Sequence, residues 1–341
     1  MKKSKIVFVT LAILVILSIS VILGCIYGSI EVPFKVTFDV LKSKFLNAPI
    51  DCSKPSDVFI IWELRLPRVI LAFVIGGGLS ISGVAMQSIT RNVMAEPFIL
   101  GLSSGSLAFV SVAFIALGFN IQSQWIIPTF AFAGALFALL IVIIMGGFAK
   151  NTSPSKLILI GTAISVTLNA IGQYGIYLSS TSNTSASIVS WMMGNLAGAR
   201  WNNLLIPTIV SLIGLIFFFL QSRSFDLMSL GDDTAISLGT NTTMLKRFSL
   251  ILVALIAGIS VASCGIIGLI GFIIPHIIRF IFGTNHKPLF LLSFFFGGIF
   301  LIIMDLLSRV LLSPQEVPVG ILTALCGGPY FIWILRKKAK R

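Results

Sequence analysis

The stretch LPRVILAFVIGGGLSISGVAMQSI, residues 66–89, holds one charged side chain, Arg68, in its whole length. A helix of about 20 apolar residues crosses a ~30 Å hydrocarbon layer, so this segment reads as a membrane span. Its run of small residues, Gly76 to Gly78 followed by Ser80, Ser82 and Gly83, suits a helix that packs closely on others. Arg65 and Arg68 precede the apolar run and Arg91 follows it, which is how charge brackets a span at the two membrane faces.

Outward from this stretch the pattern recurs. Apolar runs separated by charge, Gly/Pro or Ser/Asn clusters predict further spans near 6–28, 98–118, 126–148, 157–179, 203–221, 246–264, 268–283, 288–308 and 317–335. With 57% hydrophobic and only 10% charged residues, against about a quarter charged in soluble domains, a water-soluble fold is excluded. The expected fold is an all-α polytopic membrane protein of about ten transmembrane helices, forming a single transmembrane domain over residues 1–341 in the cell membrane.

The net charge of +13 would suggest nucleic acid in a soluble protein, but here the basic residues sit between spans and report orientation. Starting the N-terminus inside, with an even number of spans, puts 16 Lys and Arg on the cytoplasmic side, including Arg91, Lys150, Lys246, Arg279 and the C-terminal cluster from Arg336. Eight remain outside, among them Arg65, Arg68, Arg200 and Arg309, nearly balanced by Glu31, Asp39, Asp51, Asp57, Glu63, Asp305 and Glu316. The bias predicts both termini in the cytoplasm. Lys2, Lys3 and Lys5 followed by an apolar run to Cys25 resemble a lipoprotein signal, but the run from Ile6 to Tyr27 exceeds the 7–15 residues of a signal core, so an uncleaved first helix is expected.

The external connection, residues 29–63, contains Phe34, Phe38, Leu41 and Phe45 at i, i+4, i+7 and i+11, one helical face. It reads either as a helix lying on the outer membrane surface or as one packed on neighbouring spans. GLSISG at 78–83 echoes GISVAS at 258–263 in spans of opposite direction, as an inverted repeat would, although small residues for close packing explain the same pattern. Cys25, Cys52, Cys264 and Cys326 have no metal or redox spacing. His276, a lone histidine after Pro275, does not suggest a metal ligand.

Ionisable residues inside the expected spans are few, which disfavours a proton- or sodium-coupled carrier. A clustered His/Asp/Glu/Ser constellation is missing from the spans, which disfavours a membrane enzyme. The chain also lacks a GxxxxGK[ST] phosphate loop, so active transport would draw its energy from another subunit. The longest cytoplasmic loop, 222–245, contains LGDDTAISLGT at 230–240, where Gly231 and Gly239 would bound a short helix and Asp232 and Asp233 would favour its N-terminus. It reads as a solvated connector or as a docking helix for an ATPase.

Seven motifs in order carry a family resemblance: LRLPR (64–68), SGVAMQSITRNVMAEPFILGLSSG (82–105), WMMGNLAG (191–198), LGDDTAISLGT, GIIGLIGFIIPHIIRFIFGTNHK (265–287), DLLSR (305–309) and VPVGILTALCGGPYFIWIL (317–335). Together they resemble the FecCD family of permeases for ferric siderophores, haem and cobalamin. The resemblance implies a non-catalytic transport subunit, with ATP and magnesium bound by the partner ATPase rather than by this chain. Its implied partners are a second permease subunit, identical or paralogous, two ATPase subunits, an extracytoplasmic substrate-binding protein and membrane lipid, with no nucleic acid. By the same resemblance Arg65, Arg68 and Arg309 dock the binding protein; the competing reading is arginines that anchor helix ends. Leu230, Gly231, Ala235, Leu238 and Gly239 match the ATPase-coupling helix, and Asn92, Met94 and Ser155 match the cytoplasmic gate. The chain departs from the family pattern where RNVMA (91–95) replaces RNPLA and GIIGLIGF (265–272) replaces GPIGFVGL, each loss of a proline removing a helix break.

Overall fold

The computed structural model describes residues 3–30, 32–46, 54–117, 125–146, 154–179 and 182–339. Lys2, Glu31, Asp51, Cys52, Lys150, Lys340 and Arg341, cited above for charge or cysteine content, lie outside them. Among the described residues the regular structure is entirely helical. In chain order the helices are α1 (Lys3–Ile26), α2 (Phe34–Leu46), α3 (Pro55–Phe59), α4 (Leu66–Ile89), α5 (Leu102–Leu117), α6 (Ile126–Gly146), α7 (Pro154–Leu178) and α8 (Ser182–Met192). There follow α9 (Trp201–Leu220), α10 (Ser222–Ser229), α11 (Asp232–Ser237), α12 (Thr242–Cys264), α13 (Ile270–Phe282), α14 (His286–Val310) and α15 (Val319–Ala339).

Every one of the ten expected spans falls on a helix. Seven of these helices are long and apolar enough to cross a membrane. The other three, Leu102–Leu117, Ile270–Phe282 and Val319–Tyr330, are shorter apolar helices; at 1.5 Å per residue, 13 residues reach only about 20 Å. Two of the three begin after broken backbone. Before α5 the chain leaves α4, passes a 3-10 turn at Pro97–Leu100 and turns at Gly101 with φ 80°. Before α13 it turns at Gly265 (φ 71°) and at Leu269, which takes φ 70° without being glycine. These breaks lie against other helices, since Gly161 of α7 meets the Ile99 carbonyl and Gly83 of α4 meets that of Gly271. Non-helical backbone is tolerated at membrane depth only when so enclosed.

The core is centred on α4, which is buried along nearly its whole length and touches α9, α12, α13 and α14. Glycine makes these contacts possible. A Cβ on Gly76 would stand 2.2 Å from the Gly297 carbonyl of α14, and one on Gly83 would stand 1.8 Å from that of Gly271. The outward faces of α6 and α9 are by contrast apolar and exposed, as at Leu140, Ile144, Leu205, Ile209 and Ile216, which suits contact with lipid.

The external region differs from its expected form in two respects. The helix containing the quoted stretch starts at Pro55 and runs unbroken to Ile89 through a π turn at Ile60–Arg65. Pro67 has no N–H for the usual bond to residue 63, and the Leu66 N–H instead reaches Ile61 O, five residues back. Second, the face of α2 that packs inward is Val36, Thr37 and Val40, with Val40 fully buried beside Ile61. Of the expected stripe, Leu41 also packs inward, while Phe34, Phe38 and Phe45 stay exposed, Phe45 meeting the edge of Trp62 at 5.7 Å.

Candidate functional site

Arg65, Arg68 and Arg309 meet at the end of the bundle where α4 begins, around a cleft of about 240 Å³ that Arg200 and Glu316 also line. All three are buried, with 6%, 7% and 3% of their surface exposed. Burying guanidinium groups is costly unless their donors are met, and here the chain itself meets them. Arg65 donates to the carbonyls of Cys25, Ile26 and Ile30. Arg309 donates to Gly24 O (3.0 Å) and Tyr27 O (2.9 Å). Together they satisfy the end of α1, whose last carbonyls have no partner within the helix.

Acidic residues complete the cluster. Asp305 pairs with Arg68 at 2.8 Å and with Arg309 at 3.2 Å, the latter one helical turn away. Arg68 also meets both oxygens of Glu316 at 3.0 Å. The two carboxylates differ in exposure, 1% for the Asp305 side chain and 28% for Glu316. Sequence reading brought the three arginines together but missed these partners. The spacing Asp305–Arg309 signals an i,i+4 pair, whereas Arg68–Asp305 and Arg68–Glu316 span most of the chain.

The opposite end of α4, about 36 Å away by helix rise, carries the other predicted residues. As the glycine spacing predicts, α11 is a short helix between Gly231 (φ 124°) and Gly239 (φ 86°). Ala235 is buried against the bundle, while Leu230, Ile236 and Leu238 are exposed at 67%, 53% and 58%. Its first residue, Asp232, pairs with Lys246 at 2.7 Å and with Arg91 at 3.0 Å.

Arg91 (φ 48°) starts the segment assigned to the gate. Asn92 accepts the Met94 N–H at 3.0 Å through its side chain, closing a local turn, and Met94 packs against Phe272 and Ile273 of α13. Farther on, Glu96 accepts the Leu269 N–H at 3.1 Å, which joins the two broken segments. Ser155 is exposed in the first turn of α7, a different element from Asn92 and Met94. His276 lies among rings, 6.4 Å from Phe272 and 6.1 Å from Tyr330.

The FecCD transport family matches residues 14–337 of the chain. The iron(3+)-hydroxamate import system permease protein FhuG of Bacillus subtilis is 34% identical, covering 82% of this chain and 84% of that protein. The vitamin B12 import system permease protein BtuC of Salmonella typhi is also 34% identical, covering 86% and 88%. A solved structure, "An inward-facing conformation of a putative metal-chelate type ABC transporter", superposes with a TM-score of 0.83 at 29% identity, covering 98% of this chain and 99% of its own. With the family pattern running through nearly the whole chain and the helical arrangement matching end to end, this protein belongs to the FecCD transport family.

Proposed function

We propose that this chain is the membrane-spanning permease subunit of an ATP-driven importer carrying ferric siderophore, or a haem- or cobalamin-like chelate, into the cell. In this reading all ten apolar helices span the cell membrane with both termini in the cytoplasm, and α4 to α7 correspond to α12 to α15 as an inverted repeat. ATP is hydrolysed on a separate pair of subunits. The observation that carries the reading is α11, a helix held by Asp232 and bounded by positive-φ glycines that leaves Leu230, Ile236 and Leu238 uncovered. Exposed apolar groups of this kind mark a partner's seat.

A second permease subunit would cover α7. Its exposed face mixes Leu159, Val166 and Ile171 with Thr162, Thr167, Gln173, Tyr174 and Tyr177, a composition that suits a protein contact beside a wet path. The test is co-purification of this chain with its candidate ATPase. Leu238→Glu is expected to weaken ATPase retention by about tenfold, the effect of losing one central apolar anchor. Unchanged retention would remove α11 from the docking surface.

At the other end, Arg65, Arg68 and Arg309 would receive acidic side chains of the binding protein. Glu316, the more exposed of their two carboxylate partners, would be the group that an incoming acid exchanges with on Arg68. Freeing Arg68 by Glu316→Gln is therefore expected to tighten binding-protein capture by about two- to fivefold, within the range of a partly exposed ion pair, and more at low salt. Equal affinity of variant and wild type at low ionic strength would leave Arg68 as an internal partner of Asp305 and Glu316, and Arg65 and Arg309 as anchors for α1.

A further inference from the structure

The tip of α4 and the residue that opens the gate segment are held at two points by the loop that contains α11. Asp226 of α10 provides the first. Its carboxylate accepts both the backbone N–H of His286 (2.9 Å) and the ring Nδ1–H (2.7 Å). Because the carboxylate only accepts, it fixes Nδ1 as the protonated nitrogen. The other ring nitrogen, Nε2, lies 2.8 Å from the Ser88 hydroxyl in the last turn of α4. That hydroxyl is also 2.8 Å from the Val84 carbonyl, so the ring and the carbonyl share one hydroxyl proton. The imidazole is buried, stacked against Phe225 at 5.7 Å and beside Phe290 at 5.9 Å, so the ring has little freedom to turn away.

Asp232 provides the second point, through its 3.0 Å pair with Arg91. Arg91 is non-glycine backbone in the left-handed region, a conformation that persists only when its surroundings impose it. Its neighbour Asn92 closes the turn to Met94. Asp226, through His286, and Asp232 directly are thus in contact with residues 88–91, which lead directly into the turn at 92–94.

We infer that Asp226, His286 and Ser88, with Asp232 and Arg91, are positioning residues that couple displacement of the α10–α11 loop to the cytoplasmic gate. This rests on the importer reading above. The two links differ in strength. Arg91 and Asp232 are 45% and 36% exposed, so that pair alone shifts an equilibrium by at most about fivefold. In the link through His286 the ring is buried (7% exposed) while the Asp226 carboxylate is 37% exposed, so losing a partner there leaves a buried ring nitrogen unsatisfied.

The experiment uses the assembled complex of this chain with its ATPase in proteoliposomes. It measures uptake per ATP hydrolysed, together with thiol labelling of a Met94→Cys reporter with and without nucleotide. Ser88→Ala and His286→Ala are each expected to lower uptake per ATP by about five- to thirtyfold with hydrolysis kept, and to make labelling independent of nucleotide. Their combination should be no worse than the worse single change, since both cut one link. Arg91→Ala should lower uptake per ATP less, by no more than about fivefold, because Asp232 keeps its pair with Lys246.

The inference is overturned if labelling in Ser88→Ala still responds to nucleotide, or if uptake and hydrolysis fall together in both single variants. The importer reading fails differently. In that case the otherwise unmodified chain carrying Met94→Cys would neither retain an ATPase nor label in a nucleotide-dependent way.

Discussion

Replacing Asp305 by alanine is expected to cost the folded chain about 3–5 kcal/mol, the usual cost of removing one partner from a buried ion pair. Two guanidinium groups lose their shared carboxylate. Arg309 retains the Gly24 and Tyr27 carbonyls, and Arg68 retains Glu316, but neither retains a buried anion. Asp305→Asn, which keeps an acceptor without charge, should lose less. Thermal unfolding of the purified protein in detergent measures the difference; alanine and asparagine variants as stable as wild type would mean that the cluster is solvated in the folded state. The double change Asp305→Ala with Arg309→Met should recover part of the loss, because it removes the unpaired charge, although the end of α1 would then lack its donor.

A comparably large effect is expected at Gly83. A Cβ there would lie 1.8 Å from Gly271 O and 2.5 Å from the carbonyl carbon, so the obstacle is backbone and no side-chain rotation relieves it. Overpacking typically costs about 1–3 kcal/mol where side chains can adjust, and Gly83→Val should reach or exceed the upper end. The contact also sets the approach of α13 to α4, next to the break at Leu269, so loss of folded protein should be accompanied by loss of transport. Gly198, which has open space around its would-be Cβ, supplies the control: Gly198→Ala should be as stable as wild type. Equal stability of Gly83→Val and Gly198→Ala would contradict the close packing of α4 on α13.

How much of this was legible in the sequence follows from what each signal measures. Hydropathy reports which segments leave water, and it located all ten apolar helices. Glycine spacing reports where backbone must turn, and it bounded α11 between Gly231 and Gly239. Neither reports which side chain meets which. The Arg68 pairs with Asp305 and Glu316, and the Asp226–His286–Ser88 link, join residues 60 to 248 positions apart, and nothing local marks them.

The stripe of α2 left its setting open for a related reason. Periodicity shows that Phe34, Phe38 and Phe45 share a face, but not whether that face meets protein or lipid, and the smaller Val36 and Val40 pack inward instead. The π turn before α4 was similarly hidden, since Pro67 marks a lost hydrogen bond without showing how the helix absorbs it. The arginines were identified as a group from motif resemblance, yet their burial follows only from the path of α1 across the start of α4.

The central claim, proposed above, is that this chain moves a metal chelate of the ferric-siderophore, haem or cobalamin class only when a separate ATPase drives it. The most direct test is accumulation of radiolabelled ferric hydroxamate, haem and cobalamin by proteoliposomes holding this chain with its partner permease, ATPase and binding protein, with ATP inside or outside. Accumulation of one of these chelates that requires ATP on the side of the ATPase, and that stops when the ATPase is inactivated by mutation, is the predicted result. Accumulation by this chain alone, driven by a proton or sodium gradient and indifferent to the ATPase, would contradict the account.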